Sequence, residues 1–562
     1  MTTNGTGTAT DPERERFPIL SGEQLDRLGA YGTAETVRAG DVLYRAGQAS
    51  YDFIVLRTAS ADIVREATGE QPEACIATCT PGQFLGELNL LTGQAVYLMT
   101  RVTEDGKIIR ITPRSFRRLM DQDTQLSALI LTAFLSRRTE LQTGEGARSV
   151  RMLGSAFSRE SLALRTWAAR ARLAYTWIDI DSDEGGKLAA AIDIAADQLP
   201  AVVTASGVTS RATPALIAHA FGLTYTPASD QDTDEADLVI VGAGPAGLAA
   251  AVYGSSEGLD TLVFDAVAIG GQASASSRIE NYPGFERGIS GAELTGRAAV
   301  QALKFGARVN SPCSVRSVRR IGGHFETVLS DGVVAASRAI VVATGARYRS
   351  LDLPRWPEFE GRGIYYAATG IEARTCSEAP VVVVGGANSA GQAALFLADS
   401  GCPVTLVVRS PDLYSDMSAY LARRITATPA ITVWLRTEVT DLSGDERLEH
   451  VTITDHTAGD SYEIRCAGLF CFIGADPQTS WLSGVQLDDN GFVLTDSALV
   501  PGPSGDTWNR LGRGPLPFET SEPGIFAIGD VRAGSMKRVA AAVGDGASCI
   551  RSVHQFIGST AM

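Results

Sequence analysis

Glycines near the middle of the chain have the spacing of a dinucleotide-binding turn. Gly242, Gly244 and Gly247 follow a short apolar run and precede an apolar segment of helical periodicity. Such glycines permit a tight turn, close approach of a pyrophosphate and close packing of the helix, whose N-terminus faces the phosphates. The next apolar run ends in an acid, which binds a ribose hydroxyl in this kind of βαβ unit. The residues that we expect to contact a dinucleotide here are Gly242, Gly244, Pro245, Ala246, Gly247 and Asp265.

A second turn of the same kind begins at Gly385 and continues through Ala387, Asn388 and Ser389. Two such units in one chain indicate a flavoprotein that also binds a nicotinamide nucleotide. The second strand of this unit ends in Arg409, and a cation there favours the 2′-phosphate of NADPH over the free hydroxyl of NADH. Ala387 replaces the middle glycine, where the backbone usually approaches the pyrophosphate, so a vestigial nucleotide fold is the alternative.

The composition of the chain limits its domain organisation and its partners. At about 100–200 residues per domain, the 562 residues predict three or four domains. The net charge of −15 argues against nucleic acid and anionic membranes as partners, since both need concentrated Lys and Arg. The polar N-terminus argues against a secretory signal, and Gly and Pro interrupt the most apolar long stretch. We therefore expect a cytoplasmic protein that spans no membrane.

Eight cysteines are scattered through the chain, and no two of them form a CxxC motif. The spacings Cys75 to Cys79 and Cys466 to Cys471 do not fit common zinc sites, and the five histidines do not cluster near them. We therefore expect no metal site and reduced, buried thiols.

The N-terminal block, residues 1–145, has many short apolar runs separated by turn residues, followed by a helical stretch from about 113 to 141. This pattern is typical of a small β-roll. The segments that resemble a cyclic nucleotide-binding domain are Ala39-Gly40-Asp41-Val42-Leu43-Tyr44 and Gly82-Gln83-Phe84-Leu85-Gly86-Glu87-Leu88. The resemblance implies that Glu87 binds the ribose hydroxyl and that a later arginine pairs with the cyclic phosphate.

That arginine is missing from this chain, which has Gln94-Ala95-Val96-Tyr97 at the corresponding place. Burial of a phosphate without a cation is costly. We therefore expect the domain to bind no cyclic nucleotide and to serve as a docking or dimerising β-roll. No helix-turn-helix follows it, which argues against a transcription factor.

The second block, residues 146–228, predicts the order β-α-β-α-β, with helices over 159–169, 188–194 and 213–221. Pro200 directly precedes the third strand, and this arrangement resembles a glutaredoxin-like domain of thioredoxin fold. The resemblance implies that Pro200 is the cis-proline and that a CxxC opens the first helix. Ser158 and Ser161 occupy the two sulfur positions. Because hydroxyls cannot exchange with disulfides, we expect a redox-inactive module for packing or partner docking. A polar stretch, 228–235, predicts a linker to the last block.

The remainder of the chain, from 237 to the C-terminus, resembles the low-molecular-weight thioredoxin reductases. The motifs that carry the resemblance are Ile269-Gly270-Gly271-Gln272, Ile279-Glu280-Asn281-Tyr282-Pro283-Gly284, Ala343-Thr344-Gly345-Ala346 and Gly524-Ile525-Phe526-Ala527-Ile528-Gly529-Asp530. The resemblance implies an FAD domain of residues 229–353 and 466–562, an inserted NADPH domain of residues 354–465, and a homodimer. The further FAD-binding residues that it implies are Gly271, Gln272, Asn281, Thr344, Gly345, Gly529, Asp530, Val539 and Ala540.

Two of these residues have a specific implied role. Asp530 holds the ribityl chain, and the helix that begins near Val539 directs its N-terminus at the flavin pyrimidine and so stabilises reduced anionic flavin. The predicted fold class is thus multidomain α/β, with a β-roll, a thioredoxin-like domain and two nested Rossmann-like dinucleotide-binding domains. The Pro- and Gly-rich segment 500–517 predicts a long loop.

The chain departs from the thioredoxin reductases at their redox centre. It has Tyr366-Ala367-Ala368-Thr369-Gly370 before the second nucleotide fold, where a CxxC is expected, and only Arg409 remains of the usual His-Arg-Arg phosphate clamp. Cys376 follows shortly and is expected to be a buried thiol rather than a flavin partner. Hydride transfer needs no side-chain base, so we name no catalytic residue.

The leading hypothesis is an oxidoreductase in which NADPH reduces FAD, and the electrons pass to an external acceptor, either a small molecule, a redox protein or dioxygen. One alternative is an FAD-dependent oxidase of a small organic substrate with a vestigial nicotinamide domain. Another is a non-catalytic flavoprotein sensor or scaffold.

Overall fold

The computed structural model describes residues 12–48, 51–67, 71–227, 235–276, 278–279, 281–366, 368, 370–376, 379–500 and 505–560. Contacts divide the chain into two compact units. The first contains residues 1–155, 172–225 and 303–306, and the second contains residues 156–171, 226–302 and 307–562. The predicted linker 228–235 lies almost wholly outside the described residues, as do Ala367 and Thr369.

The first unit begins with two antiparallel sheets and five helices, counted over the described residues. The elements are α1 (Pro12–Arg16), α2 (Gly22–Gly29), β1 (Thr33–Val37), β2 (Val42–Tyr44), β3 (Phe53–Leu56), β4 (Ser60–Arg65), β5 (Ala74–Cys79), β6 (Phe84–Leu85), α3 (Asn89–Thr92), β7 (Met99–Glu104), β8 (Gly106–Ile111), α4 (Pro113–Gln122) and α5 (Thr124–Thr143). The strand orders are β1-β8-β3-β6 and β2-β7-β4-β5. Four phenylalanine rings that approach one another within 4.9–6.2 Å form the centre of the core, namely Phe53, Phe84, Phe116 and Phe134.

The next elements in the chain are β9 (Arg151–Gly154), α6 (Arg159–Arg170), β10 (Thr176–Asp179), α7 (Asp183–Ala191), β11 (Ala201–Thr204), β12 (Gly207–Thr209) and α8 (Pro214–Ala220). The helix α6 belongs to the second unit, and the four strands form a smaller sheet. The strand order is β10-β9-β11-β12, in which β9 and β10 are parallel and β11 is antiparallel to both of its neighbours. The Leu199–Pro200 peptide bond is cis, as the resemblance to a glutaredoxin-like domain implies. The helix predicted over 188–194 instead begins at Asp183, because the Ser182 hydroxyl accepts a hydrogen bond from Gly185 N and caps it there.

The second unit contains a seven-stranded sheet with a parallel centre. Its first elements are β13 (Glu235–Val241), α9 (Pro245–Ser256), β14 (Thr261–Phe264), α10 (Gly291–Lys304), β15 (Arg308–Asn310), β16 (Val315–Ile321), β17 (His324–Leu329), β18 (Val334–Val342) and β19 (Ala346–Tyr348). The order is β15-β14-β13-β18-β17-β16. The carboxyl ends of β13 and β18 meet at one edge, because Val241 pairs with Val342 in parallel register.

A second, five-stranded parallel sheet and a three-stranded antiparallel sheet follow in the chain. The elements are α11 (Trp356–Phe359), β20 (Ile364–Tyr365), α12 (Gly370–Cys376), β21 (Val381–Val384), α13 (Asn388–Asp399), β22 (Val404–Val408), α14 (Ala419–Ala427), β23 (Ile431–Leu435), β24 (Thr437–Ser443), β25 (His450–Asp455), β26 (Ser461–Arg465) and β27 (Gly468–Cys471). The parallel order is β20-β27-β21-β22-β23. Because β27 lies inside this sheet, the sheet extends to Cys471, past the boundary predicted at 465.

The last elements are β28 (Ala475–Pro477), α15 (Gly505–Leu511), β29 (Ile525–Ala527) and α16 (Val539–Thr560). The strand β29 returns to the first sheet and pairs in parallel with β18. The segment 500–517 contains the helix α15 and is therefore not the continuous loop that the sequence predicts. Short 3₁₀ turns occupy Glu145–Ser149, Ala196–Gln198, Gln272–Ala275, Leu413–Ser415, Asp496–Ala498 and Gly529–Val531. Among the helices of the described residues, none combines the length and the apolarity that a membrane crossing requires.

Candidate functional site

Two glycines of the first turn are required by the fold itself. Gly242 has φ +111°, and a Cβ atom there would lie 2.3 Å from the carbonyl oxygen of Ala343 on the neighbouring strand. A Cβ atom on Gly247 would lie 1.9 Å from the carbonyl oxygen of Gly242. The first glycine therefore makes the turn from β13, and the third lets α9 pack against that turn, as the motif predicts.

Gly244 has a different role, because nothing in the fold demands a glycine there. It is the N-cap of α9 with φ −75° and ψ −175°, an ordinary extended conformation. An added Cβ atom would have Gly271 Cα, at 3.9 Å, as its nearest neighbour. Pro245 and Ala246 begin the helix in front of this open space. The residues thus leave room for an anion against the N-terminus of a twelve-residue helix.

Asp265, at the end of β14, is fixed by backbone hydrogen bonds. Its Oδ2 accepts from Ala243 N at 2.8 Å, and its Oδ1 accepts from Val267 N and Ala268 N at 3.0 and 2.9 Å. Burial raises the pKa of this carboxyl group, and the three amide donors oppose that effect. The hydrogen bond to Ala243 places the carboxylate directly beside the glycine turn, where the motif requires a ribose-binding acid.

The other predicted residues of the first site are partly assembled around this turn. Gly270 N donates to Ala243 O at 2.7 Å, which brings Gly271 and Gln272 to the turn. Thr344 and Gly345 follow β18 at the same sheet edge, and the Thr344 hydroxyl donates to Gln478 O at 2.9 Å. Asn281 lies on an exposed loop between the bridged residues Ile279 and Ile289.

The segment after β29 reaches the glycine turn from the opposite side. Gly529 has φ +68°, and a Cβ atom there would lie 2.8 Å from Ala246 Cβ. Burial raises the pKa of Asp530, while the nearby Lys537 ammonium opposes that shift. Val539 and Ala540 form the first turn of α16, whose leading N–H groups have no acceptor within the helix.

Sequence reasoning missed the residues of α16 that hold this segment in place. Asp545 accepts a hydrogen bond from Gly529 N at 3.1 Å and pairs with Arg532 at 3.2 Å. A Cβ atom on Gly546 would lie 2.2 Å from Ala246 O, so the glycine lets α16 cross α9 at close range. The signal in the sequence is Gly544-Asp545-Gly546, two glycines and an acid inside an otherwise helical pattern.

The second glycine turn keeps the geometry of the first. Gly385, after β21, has φ +143°, and a Cβ atom there would lie 2.4 Å from Phe472 O. Ala387 is the N-cap of α13, with φ −95° and ψ 177°. This is the extended conformation that Gly244 has in the first turn, so the alanine methyl group is compatible with the fold. The Asn388 Oδ1 accepts from Ser418 N at 2.8 Å, and Ser389 is exposed in the first turn of α13.

Arg409 follows β22 as predicted, with its side chain 83% exposed. Its guanidinium lies 3.8 Å from the carboxylate of Glu438, which sequence reasoning did not single out. The second carboxylate oxygen of Glu438 lies 2.8 Å from His456 Nε2. An acid therefore stands beside the cation that is expected to bind a 2′-phosphate.

The cysteines have the environment of core thiols. Cys376 lies in the apolar core around the five-stranded sheet, and burial raises its pKa to about 12. The buried-thiol interpretation of Cys376 is therefore confirmed. All eight cysteines lie within the described residues, where the structure shows no disulfide, and only Cys75 among them is exposed. The described residues also contain no group of three or more His, Cys, Asp or Glu side chains that could hold a metal ion.

In the first unit, Glu87 is engaged by an arginine of α5. Arg138 donates from Nε and Nη2 to the two Glu87 oxygens at 2.9 and 3.0 Å, and its side chain is only 2% exposed. The same guanidinium also donates to Asn89 and, at 3.1 Å, to Gln94. The neighbouring Arg137 donates to the carbonyl oxygens of Arg16, Phe84 and Gly86. Both buried arginines thus already have protein acceptors.

Comparison with known protein families gives a match for the dinucleotide-binding part of the chain and another for the N-terminal domain. Residues 236–546 match the family model for pyridine nucleotide-disulphide oxidoreductases, and residues 34–123 match the model for the cyclic nucleotide-binding domain. The thioredoxin reductase of Treponema pallidum is 33% identical over 321 residues, which are 57% of this chain and 97% of that protein. The thioredoxin reductase of Streptomyces clavuligerus is 33% identical over 331 residues, 58% of this chain and 96% of that protein.

Solved structures give the same result. The crystal structure of T. acidophilum thioredoxin reductase superimposes with a TM-score of 0.51 at 30% identity and covers 57% of this chain and 98% of its own. The Lactococcus lactis enzyme superimposes with a TM-score of 0.51 at 28% identity, over 58% of this chain and 99% of its own. With its two glycine turns formed, the chain therefore belongs to the pyridine nucleotide-disulphide oxidoreductase family, as a thioredoxin reductase-like enzyme of a group that uses FAD and NADPH, and it carries an N-terminal domain of the cyclic nucleotide-binding type.

Proposed function

We propose that the enzyme transfers hydride from NADPH to FAD and passes the electrons to an external acceptor without an active-site disulfide. The acceptor is a small molecule or a redox protein. The observation that carries the proposal is that the chain has both dinucleotide-binding turns but no CxxC motif. Cys376, which follows the position where a CxxC is expected, is buried in an apolar core.

The residues of the first turn fit FAD. Gly244 leaves open space before α9, and Asp265 is held beside it by Ala243 N. Asp530 and the first turn of α16 supply the acid and the helix N-terminus that the flavin ring system and its ribityl chain require. Asp545 and Gly546 act as positioning residues, because one fixes Gly529 and the other sets the spacing between α16 and α9.

The residues of the second turn fit a nicotinamide nucleotide. Gly385 makes the turn, Ala387 keeps the extended N-cap, and Asn388 and Ser389 open a twelve-residue helix towards the pyrophosphate. Arg409 supplies the cation for a 2′-phosphate. When bound, the two cofactors supply the hydride chemistry, so the task of the chain is to orient them and to exclude water.

An anaerobic titration of the purified protein with NADPH, and then with NADH, tests the proposal. We expect the absorption band of oxidised flavin to bleach with NADPH. A yellow protein that neither nucleotide bleaches would contradict the proposal. That result would favour the oxidase with a vestigial nicotinamide domain, which Ala387 and the acid beside Arg409 motivate, and bleaching by an organic substrate would then identify it.

Two finer assignments accompany this proposal. The β10-β9-β11-β12 order, with β9 and β10 parallel and β11 antiparallel to both neighbours, supports a thioredoxin-like fold for residues 146–228, which Ser158 and Ser161 leave without redox sulfurs. The resemblance to thioredoxin reductases supports a homodimer, which light scattering coupled to size-exclusion chromatography would test by a mass near twice 59.2 kDa.

A further inference from the structure

The first unit contains a cavity of about 270 Å³, partly open to solvent, between the sheet β2-β7-β4-β5 and the helix α5. Its wall is mostly apolar. The principal apolar and aromatic lining residues are Tyr44, Tyr51, Ile63, Val96, Tyr97 and Leu98. An apolar cavity of roughly 150 Å³ suffices to bind benzene. The present cavity is therefore large enough for a molecule of about two fused rings.

The charged groups at the wall of this cavity are already paired. Arg16 forms an ion pair with Glu140 at 2.9 Å. Arg137 uses its three nitrogens on backbone carbonyl oxygens and lies between the rings of Phe17 and Phe84, at 4.7 and 4.6 Å from their centroids. Arg137 is thus held as a structural cation of the core and is not directed at a ligand.

The acid at the wall is paired as well. Both carboxylate oxygens of Glu87 accept from Arg138. A phosphate placed in this cavity would meet two carboxylates, those of Glu87 and Glu140, and no uncommitted cation among the described lining residues. Because burial of an unpaired anion is costly, the cavity selects against phosphates and carboxylates.

The polar groups that remain at the wall are neutral. Burial raises the pKa of Tyr97 to about 12, and it also raises the pKa values of Tyr44 and Tyr51. The rings of Tyr44 and Tyr51 stand 4.9 Å apart at 50° to each other. Aromatic walls of this kind favour a flat partner, since tilted and edge-to-face ring contacts add to the burial of apolar area.

We propose that this cavity is a binding site for an uncharged aromatic molecule of one or two rings. The site takes such a ligand in place of a cyclic nucleotide, because Arg138 already donates to both Glu87 oxygens and no cation replaces the missing phosphate arginine. This inference does not depend on the electron acceptor of the flavin unit.

Pairs of adjacent residues on β5 allow a matched test. Ala77 pairs with Ile63 of β4, and both line the cavity. Thr78 pairs with Asp62, and its hydroxyl donates to that carboxylate at 2.7 Å. Ala77 lines the cavity, whereas Thr78 is exposed and does not line it, so Ala77→Phe fills the cavity and Thr78→Phe adds the same ring outside it.

The experiment is isothermal titration calorimetry on the full-length holoprotein with indole, naphthalene and 2-naphthol, and with 2-naphthyl phosphate and cyclic AMP as charged comparisons. We expect at least one neutral ring to bind at one site per chain, and 2-naphthyl phosphate to bind at least tenfold more weakly than 2-naphthol. Ala77→Phe should abolish the binding of the neutral ring, and Thr78→Phe should retain it.

Three results would overturn the proposal. They are saturable binding of cyclic AMP, failure of all three neutral rings, and unchanged binding to a folded Ala77→Phe variant. If Ala77→Phe fails to fold, Ile63→Ala provides the second variant. It removes one wall of the cavity and should weaken the neutral ring several-fold. The comparison between 2-naphthol and its phosphate ester needs only the wild-type protein.

Discussion

Arg138 and Glu87 form a bidentate ion pair in the core of the N-terminal unit, with nitrogen–oxygen distances of 2.9 and 3.0 Å. The residues are 51 positions apart in the chain. The arginine belongs to the helix that closes the domain, and the acid belongs to the segment that would contact ribose in a cyclic nucleotide-binding domain. An internal cation has thus taken the acid that a nucleotide would otherwise use.

Breaking this pair should destabilise the N-terminal unit. We expect Arg138→Met to cost about 3–5 kcal/mol, since it leaves a buried carboxylate without its partner. The double variant Arg138→Met, Glu87→Gln should recover much of that loss. The measurement is the midpoint of the first thermal unfolding transition, and equal midpoints for the single and double variants would contradict the argument.

The loss of folding stability in the Arg138→Met variant should depend on pH. Burial raises the pKa of Glu87, while Arg138 opposes that shift, so removal of Arg138 raises the pKa further. The folded state then holds a proton more readily than the unfolded state, and stability falls as pH rises above about 4.5 through the raised value. The variant should therefore be closer to wild type at pH 5 than at pH 8. Glu87→Gln in the same background should remove that difference.

Features that depend on local sequence could be predicted before the structure was known, whereas contacts between residues distant in the chain could not. The turns at Gly242 and Gly385 were predictable, because a positive φ and close backbone contact leave glycine as the only residue that fits. The ion pairs of Arg138 with Glu87 and of Arg409 with Glu438 were not, since each joins residues whose separation in the chain carries no periodic signal. The same holds for Asp545, whose partner Gly529 lies in another element.

Gly244 and Gly247 should respond differently to the same substitution. Gly247→Ala should prevent FAD loading through misfolding, because its Cβ atom would overlap Gly242 O at 1.9 Å. Gly244→Ala should leave the apoprotein stable and weaken FAD about tenfold, because the nearest protein atom to its methyl group is Gly271 Cα at 3.9 Å and the methyl group would take space that we expect the pyrophosphate to occupy. The measurements are flavin absorbance per chain and FAD affinity of the apoprotein. Gly323→Ala, at a position with no atom within 4 Å of the added Cβ, is the control and should change neither.

Arg409 and Glu438 should have opposite effects on nucleotide preference. We expect Arg409→Ala to weaken NADPH about five- to tenfold and NADH little, because only NADPH carries the 2′-phosphate. Glu438→Gln should strengthen NADPH about two- to fivefold, since an exposed ion pair is worth ~0.2–1 kcal/mol. Anaerobic flavin titrations give both affinities. The exposed Arg423, on α14, provides the control Arg423→Ala. Equal effects of Arg409→Ala on the two nucleotides would contradict this assignment.

Titration of the free thiols should distinguish this enzyme from one that uses a redox disulfide. Cys75 is the one exposed cysteine of the eight, so the native protein should show one fast-reacting thiol, which Cys75→Ser removes. Anaerobic reduction with excess NADPH should add no further thiols, because electrons leave the flavin without opening a disulfide. A protein that exposed two additional thiols after NADPH would contain a redox pair, and electron transfer would then pass through sulfur. Cys376→Ser should leave the rate of NADPH oxidation unchanged, since that thiol is buried in the core beside the five-stranded sheet.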